Sequence, residues 1–286
     1  MKQKIKFIGF ACLFAVLTII SACQKQKLNK DTSSAEDDAL AQSTFDDVFK
    51  VVDESAKDEG LDKMGSHPYT FSGNCATITI NPPFPDSSFP KIMTVDFGTT
   101  ACTGDDGRER KGKIIADLSG KYRDAGTVIK ITPENYYVDG NKVEGTKIVT
   151  NQGRNSDNNL WYTIEVNGTV TTVDGDEITW VSSRQREWVA GEATTFLTDG
   201  FNGILDDAYD ITGNGSGVNR NGRAFDVEIT KALHVQFCGW IPEVTSGTIV
   251  LKPEDLKDRT VDFGNLDCDN QATATIGKRT YKFNLR

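Results

Sequence analysis

The chain has 286 residues, of which 26% are charged and 37% are hydrophobic, so it can bury a core and is not a disordered segment. Its formal charge is −9, and loss of the first 22 residues, which hold three lysines and no acid, takes the charge to −12. Such an acidic surface repels nucleic acid and anionic lipid headgroups, so neither is an expected partner. The 26 glycines and 8 prolines favour β-strands joined by glycine turns.

Residues 1–22 are predicted to be a signal peptide. Lys2, Lys4 and Lys6 precede an uncharged, mostly apolar run from Phe7 to Ile20, and small residues follow it. A basic segment, a short apolar segment and small residues in this order are typical of secretory signals. The apolar run is too short for a stable transmembrane helix.

The end of this segment, Ile20-Ser21-Ala22-Cys23, resembles the lipobox of bacterial lipoproteins. The resemblance implies that Cys23 is diacylated and becomes the new N-terminus. Each CH2 group of the acyl chains that is buried in the bilayer contributes about 0.8 kcal/mol of binding free energy, so the lipid would hold the protein on a membrane. An aspartate directly after the acylated cysteine would indicate retention in the inner membrane. The chain has Gln24 at this position, which favours the outer membrane, with the body facing the periplasm or the medium. The alternative is an ordinary signal peptide followed by an incidental cysteine.

Residues 23–34 are polar and are predicted to be a lipidated flexible tether. Residues 35–60 are predicted to form an amphipathic helix, because apolar side chains recur at helical spacing on one side and charged side chains on the other. Ser43 and Asp46 have the spacing of a capping box, and Gly60 is a suitable stop. We expect the apolar stripe to pack on the body, with docking of a partner as the alternative. The stripe is Phe45, Val48, Phe49, Val52 and Ala56, opposite Asp46, Asp47, Lys50 and Asp53.

One short phrase occurs twice in the rest of the chain. Val95-Asp96-Phe97-Gly98 is followed by Cys102, and Val261-Asp262-Phe263-Gly264 is followed at the same spacing by Cys268. Each copy has a cysteine upstream, Cys75 or Cys238, and a Thr-Ile strand between the two cysteines. We therefore predict two related β-modules, residues 61–125 and 219–286, with central hairpins at 126–218 between them.

Four cysteines remain after processing, and an even number in an exported protein predicts disulfides with three possible connectivities. The repeated phrase favours Cys75–Cys102 and Cys238–Cys268, since each module would then close a similar loop. A metal site is the rival use, but no CxxC spacing occurs and the chain has only 2 histidines. No metal ligand and no cofactor is predicted.

Period-two alternation runs through the body and predicts strands with one buried and one solvated face. Tyr162, Ile164, Val166 and Val170 alternate with polar residues, as do Phe225, Val227 and Ile229. Asn-Gly and Asp-Gly pairs supply the positive φ that tight hairpins need. The predicted fold class is therefore all-β, an antiparallel meander forming a half-barrel or a two-layer sandwich, with one N-terminal helix and two disulfide-clipped β-modules. The turn pairs are Asp106-Gly107, Asp139-Gly140, Asn167-Gly168, Asp174-Gly175, Asp199-Gly200 and Asn221-Gly222.

The lipobox and the repeated Val-Asp-Phe-Gly phrase with its cysteines resemble those of the large set of β-rich lipoproteins secreted by the Bacteroidota. The resemblance covers most of the mature chain and implies a cellular location and a fold. Its motifs carry no known chemistry, so it implies no activity.

No catalytic residue is predicted. His67 and His234 are the only histidines, and neither a Gly-x-Ser-x-Gly elbow nor a phosphate-binding loop occurs. Acid pairs could hydrolyse glycosides or ligate calcium, but Asp105/Asp106 and Asp206/Asp207/Asp210 lie beside turn residues and match no calcium loop. A structural calcium remains an open alternative without support.

The strand from Glu177 to Val189 carries the predicted binding face. Its even positions include Trp180, Arg184, Arg186 and Trp188, and Trp161 on a neighbouring strand could extend the platform. Aromatic planes beside guanidinium donors suit a sugar or an acidic ligand. The competing interpretation is an ordinary sheet face, with packed tryptophans and paired arginines.

These observations predict a membrane-anchored, extracytoplasmic lipoprotein that binds or scaffolds a partner at the cell envelope without being an enzyme. A glycan and an envelope protein are the expected ligands. The alternatives are a half-barrel that carries lipid or lipoprotein, which needs a wide apolar concave face, and a hydrolase that uses acidic residues.

Overall fold

A computed structural model describes residues 31–58, 75–104, 106–194, 205–239 and 241–284. These residues form one helix and fourteen strands. The predicted signal peptide, Cys23 and most of the tether lie outside the described residues, as do His67, Gly60 and Asp105. The elements are α1 (Ser33–Asp58), β1 (Thr77–Asn81), β2 (Lys91–Asp96), β3 (Cys102–Thr103), β4 (Glu109–Leu118), β5 (Val128–Val138), β6 (Asn141–Arg154), β7 (Leu160–Thr171), β8 (Glu177–Ala190), β9 (Ala208–Val218), β10 (Ala224–Cys238), β11 (Ile241–Pro253), β12 (Arg259–Asn265), β13 (Gln271–Ile276) and β14 (Arg279–Asn284).

The strands form a single open meander. They lie side by side in chain order, apart from the short β3, which pairs with the first two residues of β4, and β1 and β14 form the two edges. Every pairing among these strands is antiparallel. Strands as far apart as β2 and β11 contact α1, so the sheet curves around this helix. The prediction of an antiparallel meander with one N-terminal helix is confirmed.

Hairpin turns use the predicted glycine chemistry. Asp139 and Gly140 join β5 to β6 with φ values of 50° and 80°, which a two-residue hairpin of this hand requires. The Asn167-Gly168 pair, in contrast, is no turn, because both residues lie within β7. Gly168 faces α1 there, where an added Cβ would strike the Phe45 ring. A glycine that admits an aromatic ring is thus easily mistaken for a turn in the sequence.

Helix α1 fills the concave side of the sheet. Phe45, Val48, Phe49 and Val52 are all buried, as their spacing predicted. The helix begins at Ser33, where Asp31 Oδ1 accepts the Ser33 N–H at 2.9 Å, so Ser43 lies inside the helix instead of capping it.

The helix also buries three carboxylates, and this corrects the placement of Asp47 on its solvated side. Asp37 and Asp47 are fully buried and Asp38 nearly so, whereas Asp46 is 61% exposed. Each buried carboxylate meets a donor on a strand or in a turn between strands. Asp37 binds the Arg220 guanidinium and accepts the Arg220 backbone N–H at 2.7 Å. Helix and sheet are therefore held together by apolar packing and by buried charge pairs.

The two copies of the repeated phrase adopt the same local structure. Asp96 Oδ1 accepts the Gly98 N–H at 2.8 Å, and Asp262 Oδ1 accepts the Gly264 N–H at 2.9 Å. Register is also shared, because each Asp faces a threonine and each preceding valine faces an isoleucine on the neighbouring strand. Both glycines have positive φ. The repeat is thus a strand segment followed by an Asx turn, which lies at the end of β2 in the first copy and within β12 in the second.

Both predicted disulfides form, Cys75–Cys102 and Cys238–Cys268, with sequence separations of 27 and 30 residues. On the loop-entropy model, each contributes roughly 3–4 kcal/mol. In both modules the strand after the second cysteine pairs with the strand of the repeated phrase, β4 with β2 and β13 (Gln271–Ile276) with β12. In the second module β14 then pairs with β13, a strand that was not predicted. Its small alternating side chains gave no signal in the sequence.

Candidate ligand-binding groove

The even positions of β8 do line one face, and that face is covered by α1. Trp180 is 2% exposed, stacks on Phe45 with 5.9 Å between ring centroids, and donates its indole N–H to Asp38 at 2.8 Å. Trp188 is 7% exposed and donates to Asp207 at 3.1 Å. Both tryptophans therefore pack in the interior.

The two arginines of this face are also interior. The Arg184 guanidinium lies 5.8 Å from the Trp180 ring and near Asp38, whose pKa is raised by burial although Arg184 and the Trp180 N–H oppose the shift. Arg186 lies over Phe49, Tyr162 and Tyr209, at 4.9 to 5.2 Å from the ring centroids. These cations serve the helix–sheet interface, so an acidic ligand gains no basic surface from them.

Trp161 lies on the opposite, outer face of the sheet, in a row of side chains across four adjacent strands. Trp161 of β7 is paired with Glu187 of β8, Glu187 with Asp210 of β9, and Asp210 with His234 of β10. Directly paired residues point to the same face of a sheet, with Cβ atoms about 4.5–5.5 Å apart. The register thus brings an indole ring, two carboxylates and an imidazole together.

This row borders a groove of about 290 Å³. A shift in the pairing of β10 with β9, between Glu228 and Leu233, places Ala232 in its wall. The groove is lined by Asn155, Trp161, Gln185, Glu187, Asp210, Thr212 and Ala232.

Glu187 is fixed in orientation by its neighbours. Its Oε1 accepts the side-chain amides of Asn155 at 2.8 Å and Asn159 at 2.7 Å. Both asparagines belong to the β6–β7 turn, which is closed by the Asn155 side chain accepting the backbone N–H groups of Asp157 and Asn159. No lysine or arginine of the described residues forms an ion pair with Glu187, so its second oxygen keeps its hydrogen-bonding capacity for a ligand.

Asp210 pairs with His234, whose Nδ1 lies 2.6 Å from Asp210 Oδ1. The Asp210 side chain remains 39% exposed. The side chains of Gln185 and Thr212, on the same face of β8 and β9, are exposed and have no hydrogen-bond partner within the described part of the chain. The groove therefore offers an aromatic plane, two carboxylates, an amide and a hydroxyl.

Of the predicted binding residues, only Trp161 lines the groove. Glu187 and Gln185 were not predicted, because the binding face was assigned to the even positions of β8, which carry the tryptophans, and these two residues lie at odd positions. A signal for them was present in the sequence. The polar residues at the odd positions of β8, with Trp161 on β7 and His234 on β10, indicate the solvated face of these three strands. Sequence alone could not decide which face α1 covers.

The other acidic candidates have structural partners. Asp106 binds Arg110 and Lys50, and these cations hold its pKa well below the usual range although burial would raise it. Asp206 accepts the Thr194 hydroxyl at 2.7 Å, and Asp207 accepts the Trp188 and Tyr209 donors. The described residues contain no group of three or more potential His, Cys, Asp or Glu metal ligands. No helix among them is long and apolar enough to span a bilayer.

No family model, curated protein or solved structure matches the chain.

Proposed function

We propose that the protein is an outer-membrane-anchored lipoprotein that binds a glycan, without chemical turnover, in the groove beside Trp161. The observation that carries the proposal is the row of Trp161, Glu187 and Asp210 beside the unpartnered Gln185 and Thr212. Glycan rings stack on indole faces, and their hydroxyls pair with carboxylate and amide groups.

The start of α1, which follows the proposed anchor in the sequence, and the groove lie at opposite ends of the strands. Asn219 and Arg220, in the β9–β10 turn, bind Ser33, Ser34 and Asp37 at the start of α1. The groove lies at the other end of β7–β10, and the ten-residue step along β8 from Glu177 to Glu187 spans about 33 Å. A chain that leaves the membrane at Cys23 and enters α1 from this end would display the groove away from the bilayer. The lipobox and the resemblance to lipoproteins of the Bacteroidota support this location.

The first experiment is a glycan array probed with the mature chain, followed by titration calorimetry with a retained glycan. Trp161→Ala should weaken binding about tenfold, or 1.4 kcal/mol, as expected when a central aromatic contact is truncated. Val181→Ala is the matched control, since Val181 is an exposed apolar residue on the same outer face of β8, outside the groove.

Equal binding by the Trp161→Ala variant would remove this site from the proposal. Retention of no glycan, together with capture of an envelope protein by the same groove, would replace the glycan with a protein ligand. For the anchor, Cys23→Ser should move the chain from the membrane to the soluble fraction, and an unchanged distribution would contradict lipidation.

A hydrolase is the second candidate, because Glu187 and Asp210 face each other across adjacent strands. A pair of carboxyl groups can supply the acid and the nucleophile or base of a glycosidase. Release of reducing ends from a retained glycan, abolished by Glu187→Gln, would favour this activity over binding alone. A lipid carrier has less support, since α1 and its buried carboxylates occupy the concave face such a cargo would need.

A further inference from the structure

We infer that the groove prefers a saccharide that carries a protonated amine, such as a hexosamine unit, over neutral or acidic sugars. This inference rests on the proposed glycan-binding function and concerns its specificity.

The first argument is the charge of the groove. Glu187 and Asp210 stand side by side, and among the described residues that line the groove none is lysine or arginine. Among the described residues, His234 is the only basic side chain that a hydrogen bond or ion pair links to either carboxylate, through Asp210. A uronic acid or another acidic sugar would bring a third negative charge to this place and would be repelled.

The second argument is the relation between Trp161 and Glu187. A cation is attracted both by an indole face and by a carboxylate, and the register places these two side chains directly opposite each other. Two asparagine amides donate to Oε1 of Glu187, so the carboxylate is held in one orientation. Its Oε2 can then accept a hydrogen bond from a ligand. An ammonium group on a ring stacked over Trp161 would find a preoriented acceptor.

The third argument concerns the neutral groups. Gln185 and Thr212 lie two residues along β8 and β9 from Glu187 and Asp210, on the same face, and their side chains make no hydrogen bond to other described residues. An amide and a hydroxyl can each donate and accept, as ring hydroxyls require. A simple cation such as a lysine side chain would leave these groups unused, whereas an amino sugar would engage both sets.

The test compares three oligosaccharides of equal length by titration calorimetry, at a pH where the amine is protonated. The probes are a glucosamine oligomer, its N-acetylated counterpart and an oligogalacturonate, and a lysine-rich peptide is the fourth probe. The glucosamine oligomer should bind about tenfold or more tightly than the N-acetylated form, as a charge-assisted hydrogen bond would provide. Added salt should reduce this preference.

Glu187→Gln should lower the affinity for the glucosamine oligomer more than the affinity for the N-acetylated oligomer, so that most of the preference is lost. Glu177→Gln is the matched control, since Glu177 is exposed on the same face at the far end of β8. Asp210→Asn is a second variant in case Glu187→Gln disturbs the turn that holds it, and it should also reduce the preference.

The outcomes separate the two levels of the proposal. Equal or tighter binding of the neutral or acidic oligomer overturns the inference on amines but leaves glycan binding intact. A preference that survives both Glu187→Gln and Asp210→Asn also overturns the inference. Binding of the lysine-rich peptide with no saccharide bound overturns the glycan function itself.

Discussion

Replacing Asp47 by asparagine tests whether the buried charges of α1 hold the helix in the sheet. The Asp47 side chain is fully buried and receives donors from three residues. Its oxygens accept the Arg110 Nε–H at 3.1 Å and the Tyr136 hydroxyl at 2.7 Å, and Arg108 lies at 3.1 Å. Asparagine keeps the shape but removes the charge, so the 1% exposed Arg110 would retain only Asp106 as an anionic partner.

The expected loss follows from the cost of leaving a buried charge without its partner. Breaking a buried pair from one side typically costs about 3–5 kcal/mol of unfolding free energy. For a domain of this size, each kcal/mol shifts Tm by about 2–4 °C, so Asp47→Asn should lower Tm by roughly 6–20 °C. Replacement of both partners, as in Asp47→Leu/Arg110→Met, should cost less than Asp47→Asn alone.

The measurement is urea-induced unfolding, followed by the fluorescence of tryptophan, since Trp180 reports directly on contact with α1. Glu228→Gln is the matched control. It removes a surface carboxylate paired with Lys252, where both side chains are about half exposed, and should change stability by less than about 1 kcal/mol. If Asp47→Asn and Glu228→Gln lost the same small amount, the buried charges would not hold the helix.

Two further predictions concern the same interface. Gly168→Ala should destabilise the protein by about 1–3 kcal/mol, because the new Cβ would strike the Phe45 ring and lie 2.6 Å from the Glu144 carbonyl oxygen. Gly215→Ala, whose Cβ would meet its nearest atom at 3.2 Å, is the control in denaturant unfolding, and equal losses would refute the close-approach argument. The pKa of Asp106 is lower in the folded chain than its ordinary value of 3.8, so ionised Asp106 should stabilise the fold at pH values above 3.8. This contribution should be lost as the pH falls below 3.8. Asp106→Asn should therefore flatten the fall of unfolding free energy with acid, and an unchanged slope would contradict that assignment.

The fold was largely predictable because alternation and turn chemistry are local signals. In β10, Phe225 and Val227 are buried and Asp226 and Glu228 are exposed, as their order predicted. The repeated phrase predicted both disulfides, because each copy has a cysteine at the same spacing after it and another cysteine upstream. The strand β13 was not predicted, because alanine and threonine at alternating positions distinguish a buried face poorly.

The groove was less predictable, for a physical reason that Trp161 and Trp180 illustrate. Both are tryptophans on neighbouring strands with alternating patterns, yet one packs under α1 and the other borders solvent. The prediction that Asp47 lies on a solvated side of α1 was wrong, because Asp47, like Asp37 and Asp38, is buried against donors from the rest of the fold. Burial of a charge depends on a partner distant in sequence, and no local pattern reveals that partner.

The sequence by itself determined the strands, the helix and the cross-links, because hydrophobic periodicity, glycine turns and paired cysteines act over a few residues. Tertiary structure alone decided which face of the sheet α1 covers, and with it which aromatic and charged groups remain outside. That choice depends on the register of Trp161, Glu187, Asp210 and His234 across four strands. Side chains separated by tens of residues become neighbours only when the sheet is assembled, so their common site exists only in the folded chain.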